Sequence, residues 1–572
     1  MKSHYEPRPI YPAVGENPES GYGSLLAAMT PGTIVAADGS PTVDWSRFEH
    51  GLSKAAEEEG RAIELIDVRE AYPSWDEMVS RTADTTVGDP YFVKLYEGTV
   101  ADLLTDLPVL SKPDPESTTV VYGPGAALVA NSDHVWYVDL PKRYGLTFIG
   151  ERPVVLGRPD DQHADFKRMV FIDWPAIDRH RAGLIDDLDR FVDLLDPSTP
   201  THVDGPTMRA SIEALSTTPF RTVPHFMPGA WGGQWMKDTF KVHPDAKNLA
   251  WSYELIAPEA GVLIGPSSDA ATEIPLDFVL ESAAAEVMGT DVAAAFGTSF
   301  PIRFDYLDTM DGTALSLHCH PRPDYMKDVF GYPYTQLETY YMMATSPESF
   351  VYLGLKSETD IDEFEGATRR AEDDEVAFEI TDYINTFPAR KHDLLLIPDG
   401  TPHASGPGNV VLEISATPYF YSLRFYDHLR RDAKGKPRPI HIDHAFANLV
   451  RDRRGPAVED LVASPQVVRS SESGEEELLM NRDDMFFEIL RSRFDQSFDD
   501  DTDGRFHLLA LVEGVSIEVN TEETSHILNY GETILVPAAT GRYDLVNRDP
   551  DGREVMVVKA QVGEVQPMQH TA

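Results

Sequence analysis

Two hydrophobic rhythms alternate over the first two hundred residues. Thr33–Ala37 (TIVAA) is a short apolar run that stops at Asp38-Gly39; Trp45–Glu59 reads as a helix, and Ala62–Val68 (AIELIDV) is again an apolar strand. Thr118–Tyr122 (TTVVY) runs into Gly123-Pro124-Gly125, and His134–Leu140 (HVWYVDL) follows. Strand, helix and strand in alternation predict an α/β layer around a mainly parallel sheet. Helices near Asp187–Leu195 and Met208–Leu215 are expected to close this domain, placed at residues 1–219.

From Arg221 onward the texture changes to many short β-rich segments separated by Gly, Pro, Asp and Asn, the punctuation of a sandwich or barrel. Two stretches look like distant copies of one another. Asp393–Gly406 (DLLLIPDGTPHASG) and Glu532–Asn547 (ETILVPAATGRYDLVN) each run from a strand through a proline turn into a second strand. Aligned on Pro398 and Pro537, His403 faces Arg542, so the second copy lacks that histidine. The expected architecture is α+β and multidomain: the N-terminal α/β layer, then two β-barrels of the jelly-roll type with helical additions. The first barrel is placed at 220–454 and the second, without metal ligands, at 455–572. The acidic stretch Phe498–Gly504 (FDDDTDG) reads as a solvated turn, because it lacks the remaining ligand spacing of a calcium loop.

The Gly-Pro-Gly turn after a strand invites comparison with phosphate-binding loops, yet GPGAALVA has neither the Lys-Ser/Thr of a Walker A motif nor dinucleotide-fingerprint spacing. In strand order and in the phrase VVYGPGAAL this region resembles uridine-kinase-like domains, and the catalytic lysine is missing. The resemblance implies a non-catalytic structural or regulatory domain, with nucleotide binding as the alternative.

Charge narrows the partners. Asp and Glu number 95 against 49 Lys and Arg, of which only 15 are lysine, for a net charge of −46. Such a surface repels nucleic acid and anionic membranes and stays soluble at high ionic strength, where self-repulsion is screened. A salt-loving host and the acidic proteome of a GC-rich genome both fit it. No apolar run has the length of a membrane span, and MKSHYEPRPIYPAVG lacks the basic-then-apolar order of a signal peptide, so a cytoplasmic location is expected. The single cysteine, Cys319, rules out intramolecular disulfides and thiolate zinc clusters, so any metal must be held by nitrogen and oxygen.

One constellation meets that condition. In LSLHCHP, His318 and His320 are two apart on a strand, so both imidazoles project from the same side. Glu338, in TQLETYYMM, belongs to another alternating segment, and His403 follows the turn PDGTP. Singly, each of these is an ordinary packed or solvent-facing residue; together, HxH, then Glu, then PxGxxH make an N/O site for one divalent ion. Zinc is the foremost expectation, while manganese, iron, cobalt and nickel fit by ligand type. The constellation resembles the general cupin pattern, from which His392 departs, since that pattern has a glycine before Asp393.

These motifs, and the ordered blocks around them from about Arg221 to the end, resemble the class I mannose-6-phosphate isomerases of the cupin superfamily. Trp231-Gly232-Gly233 matches the family's opening block; FPIRFDYLDTMDGTALSLHCHP, LETYYMM, GTPHASGPGNVVLE and YSLRFYDHLRRDAKGKPRPIH are similar to its later ones. The resemblance implies cupin barrels and places the metal ligands on His318, His320, Glu338 and His403, with a histidine at His318 where the family has glutamine. It places an active-site arginine on Arg424 and a candidate base on Glu413. Gln336 and Arg303 stand where lysines are expected, and Arg303, Arg430 and Arg438 are candidates for holding phosphate or for structural ion pairs. The implied activity is metal-dependent interconversion of mannose 6-phosphate and fructose 6-phosphate through a cis-enediol. The alternatives are a cupin metalloenzyme acting on another sugar, and a non-enzymatic sugar-binding or regulatory protein.

Overall fold

The computed structural model describes residues 4–83, 89–161, 164–431 and 435–564. The chain divides into two compact units: one holds Arg8–Ser216 together with Pro258–Ala283, the other holds Thr217–Ala257, Ala284 onward and the stretch up to Pro7. The sequence-based boundaries, each an uninterrupted stretch, do not provide for this exchange.

The first unit is built on a seven-stranded sheet. Its strands β1 (Ile34–Gly39), β2 (Ala62–Asp67), β3 (Ser117–Tyr122), β4 (His134–Asp139) and β5 (Arg190–Asp193) are parallel in the order β2-β3-β1-β4-β5. Antiparallel β6 (Thr201–Asp204) and the short strand Glu19–Ser20 extend the β5 edge. The mainly parallel sheet expected from the alternation is borne out. Helix α1 (Trp45–Glu59) follows β1, capped by Asp44, whose side chain accepts from Arg47 N, and closed by Gly60 in the left-handed conformation. Its buried face, Trp45, Phe48, Leu52 and Ala55, packs with Val35, Val120, Tyr122 and Val138 of the sheet. Helix α2 (Gly205–Leu215) covers the expected Met208–Leu215.

The helix expected near Asp187–Leu195 is a correction. Leu188, Phe191, Val192 and Leu195 have helical spacing, but Ile185–Asp187 is one 3-10 turn and Arg190–Asp193 is strand β5. A run buried on both faces of a sheet loses its alternation, and Phe191 and Val192 are both fully buried.

Pro258–Ala283 joins this unit through backbone and charge. Gly261–Ile264 pairs with Thr272–Pro275 and, in parallel, with Ile10–Tyr11. Arg143 is ion-paired with Glu273; Arg181 meets Glu281 at 2.6 Å and Asp277 at 3.3 Å, and Lys142 meets Asp277 at 2.9 Å. At the strand ends, burial pushes the Asp139 carboxyl up to about 7 against the pull of Arg181, and Asp193 likewise rises to about 7. An acid whose folded value lies above its unfolded one stabilises below the unfolded value, and that stability is lost as pH rises through the folded value. Between pH 5 and 8, stability is therefore expected to fall with rising pH, and Asp139→Asn to flatten that fall by up to about 1.4 kcal/mol per pH unit, one proton's worth. Denaturant midpoints measured across that range check it; an unchanged slope in the variant refutes the assignment.

The second unit bears out the β-rich texture as two successive pairs of antiparallel sheets. In the first pair, β7 (His225–Met227), β8 (Trp251–Leu255), β9 (Ile302–Asp308), β10 (Leu317–Cys319), β11 (Glu338–Thr345), β12 (Phe350–Leu355), β13 (Ile384–Pro388), β14 (Leu394–Ile397), β15 (His403–Ser405), β16 (Asn409–Ala416) and β17 (Leu423–Tyr426) form two sheets. Their orders are β14-β11-β16-β9-β8-β7 and β13-β12-β15-β10-β17.

The second pair comprises β18 (Gln466–Ser470), β19 (Gly474–Met480), β20 (Phe487–Phe494), β21 (Ser497–Asp501), β22 (His507–Glu513), β23 (Ser516–Asn520), β24 (Ser525–Asn529), β25 (Thr533–Val536), β26 (Arg542–Asn547) and β27 (Val555–Val562). Here the orders are β18-β19-β20-β27-β22-β25 and β21-β26-β23-β24, enclosing a core of Phe494, Leu511, Val519, Leu528, Ile534 and Val557. The stretch read as a solvated acidic turn is largely strand β21, because Asp500 turns inward to a buried lysine, Lys559, at 2.7 Å.

Candidate metal centre

The two sheets of the first pair meet at four buried side chains. His318 and His320 come from β10 and the residue after it, His403 opens β15, and Glu338 opens β11 on the facing sheet. One ligand atom from each lies within 4.8 Å of all the others, as the sequence predicts for a single-ion site. His318 and His403 are register partners across β10 and β15, with ring centroids 4.2 Å apart. Glu338 Oε2 is 2.5 Å from His320 Nε2 and 3.0 Å from His403 Nε2.

Local backbone chemistry presets these rings. The carbonyl oxygens of Ser316 and Thr401 lie 2.8 and 2.9 Å from the Nδ1 atoms of His318 and His403. A carbonyl only accepts, so each Nδ1 carries the proton and each Nε2 keeps its lone pair for the centre. The turn before His403 is fixed by Gly400, whose φ of +63° is left-handed and where a Cβ would stand 2.3 Å from Asn448 O. Gly400 N also donates to His320 O at 2.9 Å, which ties the turn to the histidine strand. His392, in the place where glycine is expected, does adopt φ +75°, with its ring Nδ1 2.9 Å from the Tyr341 hydroxyl.

The donor set fits a divalent ion. Three imidazoles and one carboxylate with almost no solvent exposure are an N/O set for zinc or a similar ion, and the buried His403 Nε2, 3.0 Å from Glu338 Oε2, has no hydrogen-bond donor among the described residues. Burial, followed by repulsion from His403 and His320, pushes His318 well below its ordinary value; burial also lowers His320. Burial would raise Glu338, but His403 and His320 hold it well below the usual carboxylate range. All three shifts favour the forms that bind metal.

A polar interior adjoins the centre. Glu413 lies on β16 opposite Asp305 and Tyr340, its Oε1 ion-paired with Arg303 and accepting from Ser415 Oγ at 2.9 Å. Arg303 Nε lies 3.6 Å from Asp305 Oδ1. Burial, with Asp305 and Glu338 nearby, raises Glu413 well above its ordinary value, and burial raises Asp305 to about 7. With its oxygen 2.7 Å from Arg303 Nη2, the Gln336 amide places its nitrogen 2.9 Å from Pro418 O and 3.1 Å from His320 Nδ1. Sequence reasoning passed over Asp305. Its signal is IRFDYLD, where two opposite charges at i and i+2 share a strand face.

The predicted arginines part company. Arg424 is the register partner of His318 across β10 and β17; its Nη1 donates to Pro439 O at 3.1 Å, and its buried Nε has no partner among the described residues. It forms no ion pair among the described residues, and burial together with Arg438 lowers it to about 10. Arg430 and Arg438 both pair with Asp427, at 3.0 Å each. The structure thus brings Glu413, Gln336 and Arg303 together beside the centre, sets Arg424 against His318, and engages Arg430 and Arg438 with one shared carboxylate.

The second pair of sheets repeats this frame. Glu338 and His507 each open a strand opposite the residue that precedes a proline turn, Ile397 before Pro398 and Val536 before Pro537. His318 opposite His403 corresponds to Asp500 opposite Tyr543. The alignment of His403 with Arg542 is therefore off by one: Arg542 has a side chain 93% exposed, while Tyr543 is buried. Two strand positions beyond Glu338 and His507, Glu413 faces Tyr340 and Lys559 faces Leu509, so Lys559 takes the place of Glu413.

Comparison with known proteins gives a family model for residues 21–217, described as a domain of unknown function (DUF8485). No curated protein matches the chain. Among solved structures, mannose 6-phosphate isomerase from Bacillus subtilis is similar with a TM-score of 0.48 and 17% identity, covering 60% of this chain and 99% of that one. A single-residue mutant of phosphomannose isomerase from Salmonella typhimurium gives 0.47 and 15%, covering 61% and 100%. A zinc-bound mannose 6-phosphate isomerase gives 0.44 and 16%, also covering 61% and 100%. Among the described residues no helix is long and apolar enough to cross a membrane.

Proposed function

We propose that this protein is a zinc-dependent aldose–ketose isomerase that interconverts mannose 6-phosphate and fructose 6-phosphate through a cis-enediol. The observation that carries the reading is the convergence of His318, His320, Glu338 and His403 on one point, beside a buried carboxylate and a buried arginine. A divalent ion bound there supplies Lewis acidity to the oxygens on carbons 1 and 2 of the sugar. Glu413 is the base that carries a proton between those carbons, and Arg303 and Ser415 fix its carboxyl in place. Arg424, desolvated and without a carboxylate, stabilises the oxygen on which negative charge develops. The ordered sequence blocks described above support the same reading.

One observation favours a second reading, a sugar without phosphate. Arg303, Arg430 and Arg438 are each ion-paired with an aspartate or glutamate, which leaves Arg424 as the cation beside the centre with no carboxylate among the described residues. A coupled assay of zinc-loaded protein on mannose 6-phosphate and on free mannose separates the two. Turnover of the ester supports the first reading, turnover of mannose alone supports the second, and turnover of neither overturns both. Arg424→Met is expected to lower kcat by about 100- to 1,000-fold with bound zinc unchanged, checked by the same assay with metal analysis.

A further inference from the structure

A separate cavity of about 190 Å3 lies in the first unit, where the loops after β1, β2 and β3 come together: Asp44 and Ser46 follow β1, Arg69 follows β2, and Pro124 follows β3. Its remaining wall is the segment from Arg152 to Asp161. This is where the sheet's winding reverses. The chain leaves β1 for β2 on one side of it and leaves β3 for β4 on the other, and in open α/β sheets such a point makes a crevice at the carboxyl ends of the strands.

Three arginines line the crevice, in a chain of net charge −46 with few cations to spare. Each is anchored along part of its guanidinium. Arg69 gives Nε and Nη2 to Asp67, at 2.9 and 2.6 Å. Arg152 gives Nη2 to Thr42 O at 2.9 Å and sets Nη1 3.1 Å from Asp44 Oδ2, while its buried Nε has no partner among the described residues. Arg158 donates Nε to Tyr72 O. Anchoring of this kind holds the remaining N–H groups in place before a ligand arrives, so less side-chain entropy is lost on binding. The first turn of the fifteen-residue helix α1 lines the same wall at Trp45 and Ser46.

We propose that this crevice binds the phosphate group of a small phosphorylated metabolite, or inorganic phosphate itself. Three guanidinium groups match a tetrahedral dianion better than a carboxylate, which has only two oxygens to offer. The volume takes a phosphate and little more, since sites that enclose whole drug-sized ligands start near roughly 300 Å3.

The test is titration calorimetry of the full chain with inorganic phosphate and with mannose 6-phosphate, at ionic strength held constant with chloride. Saturable binding of inorganic phosphate is expected, weakened at least about tenfold in Arg158→Gln and lost in Arg69→Gln/Arg152→Gln. Arg158 is exposed, so its variant keeps the fold even where the double variant does not. The metal centre also takes the ester, so ester binding counts for the crevice only where Arg158→Gln weakens it; weakening with both probes assigns the site to the phosphate group, and weakening with the ester alone assigns it to a phosphorylated metabolite. Absence of binding in the wild type, or an unaltered isotherm in a folded Arg158→Gln protein, overturns the proposal.

Discussion

His320→Ala is expected to remove the bound divalent ion and isomerase turnover together. The imidazole is one of four donors and lies 2.5 Å from Glu338 Oε2, so its loss takes away a ligand and also the closest neighbour that orients the carboxylate. Losing a partner in the second shell of a metal site typically costs 10- to 100-fold in affinity, and losing a ligand is expected to exceed about 100-fold. Chelator competition and metal analysis read the first effect; the coupled isomerase assay reads the second. Retention of one equivalent of metal by the variant would remove His320 from the centre. The wild-type site should also hold its ion to lower pH than free imidazole allows. Burial keeps His318 and His320 below their ordinary values, and His403 together with His320 keeps Glu338 ionised. All three stay in their binding forms as pH falls through about 6.5, and a sharp loss of metal at that pH would contradict these environments.

The clustering of His318, His320, Glu338 and His403 was readable because its signals are local. Two histidines at i and i+2 share a strand face whatever the fold, and a proline-glycine turn sets the phase of the histidine after it. The parallel sheet was readable for the same reason, since β1, β2, β3 and β4 each stand out against polar flanks. What escaped depends on distant partners. Asp305 and Glu413 are 108 positions apart and meet only through the pairing of β9 with β16. Strand β5 looked helical because burial on both faces erased its alternation. The mismatch of Arg542 with His403 has a simpler origin. His403 follows Pro398 by five residues and Tyr543 follows Pro537 by six, so the second turn is one residue longer and places the next residue inward. Nothing in Pro258–Ala283 announces that Glu273 will meet Arg143, because a buried ion pair between remote segments leaves no periodic trace.

Lys559→Met is expected to destabilise the second pair of sheets by about 3–5 kcal/mol, the range for breaking a buried ion pair from one side. Lys559 is buried, with its ammonium 2.7 Å from Asp500 and 2.9 Å from Glu476. In the repeated frame Asp500 corresponds to His318, so the ammonium supplies positive charge beside the place where the first pair gathers its three imidazoles and one carboxylate. Methionine keeps most of the apolar stem, so the loss reports charge rather than packing. Asp500 would retain Arg469 at 3.3 Å and the Tyr543 hydroxyl at 3.0 Å, which places the effect inside the range and not beyond it. The direction with pH distinguishes this account from a packing defect. Lys559 holds Asp500 down against the upward push of burial, so without the ammonium the variant's deficit should shrink as pH falls and Asp500 takes up a proton, and grow as pH rises. Hydrogen exchange of β21, β26 and β27 at pH 5 and pH 8 measures it. A deficit equal at both values would mean that the lysine stem, not its charge, holds these strands together, and that the second pair of sheets needs no cation at its centre.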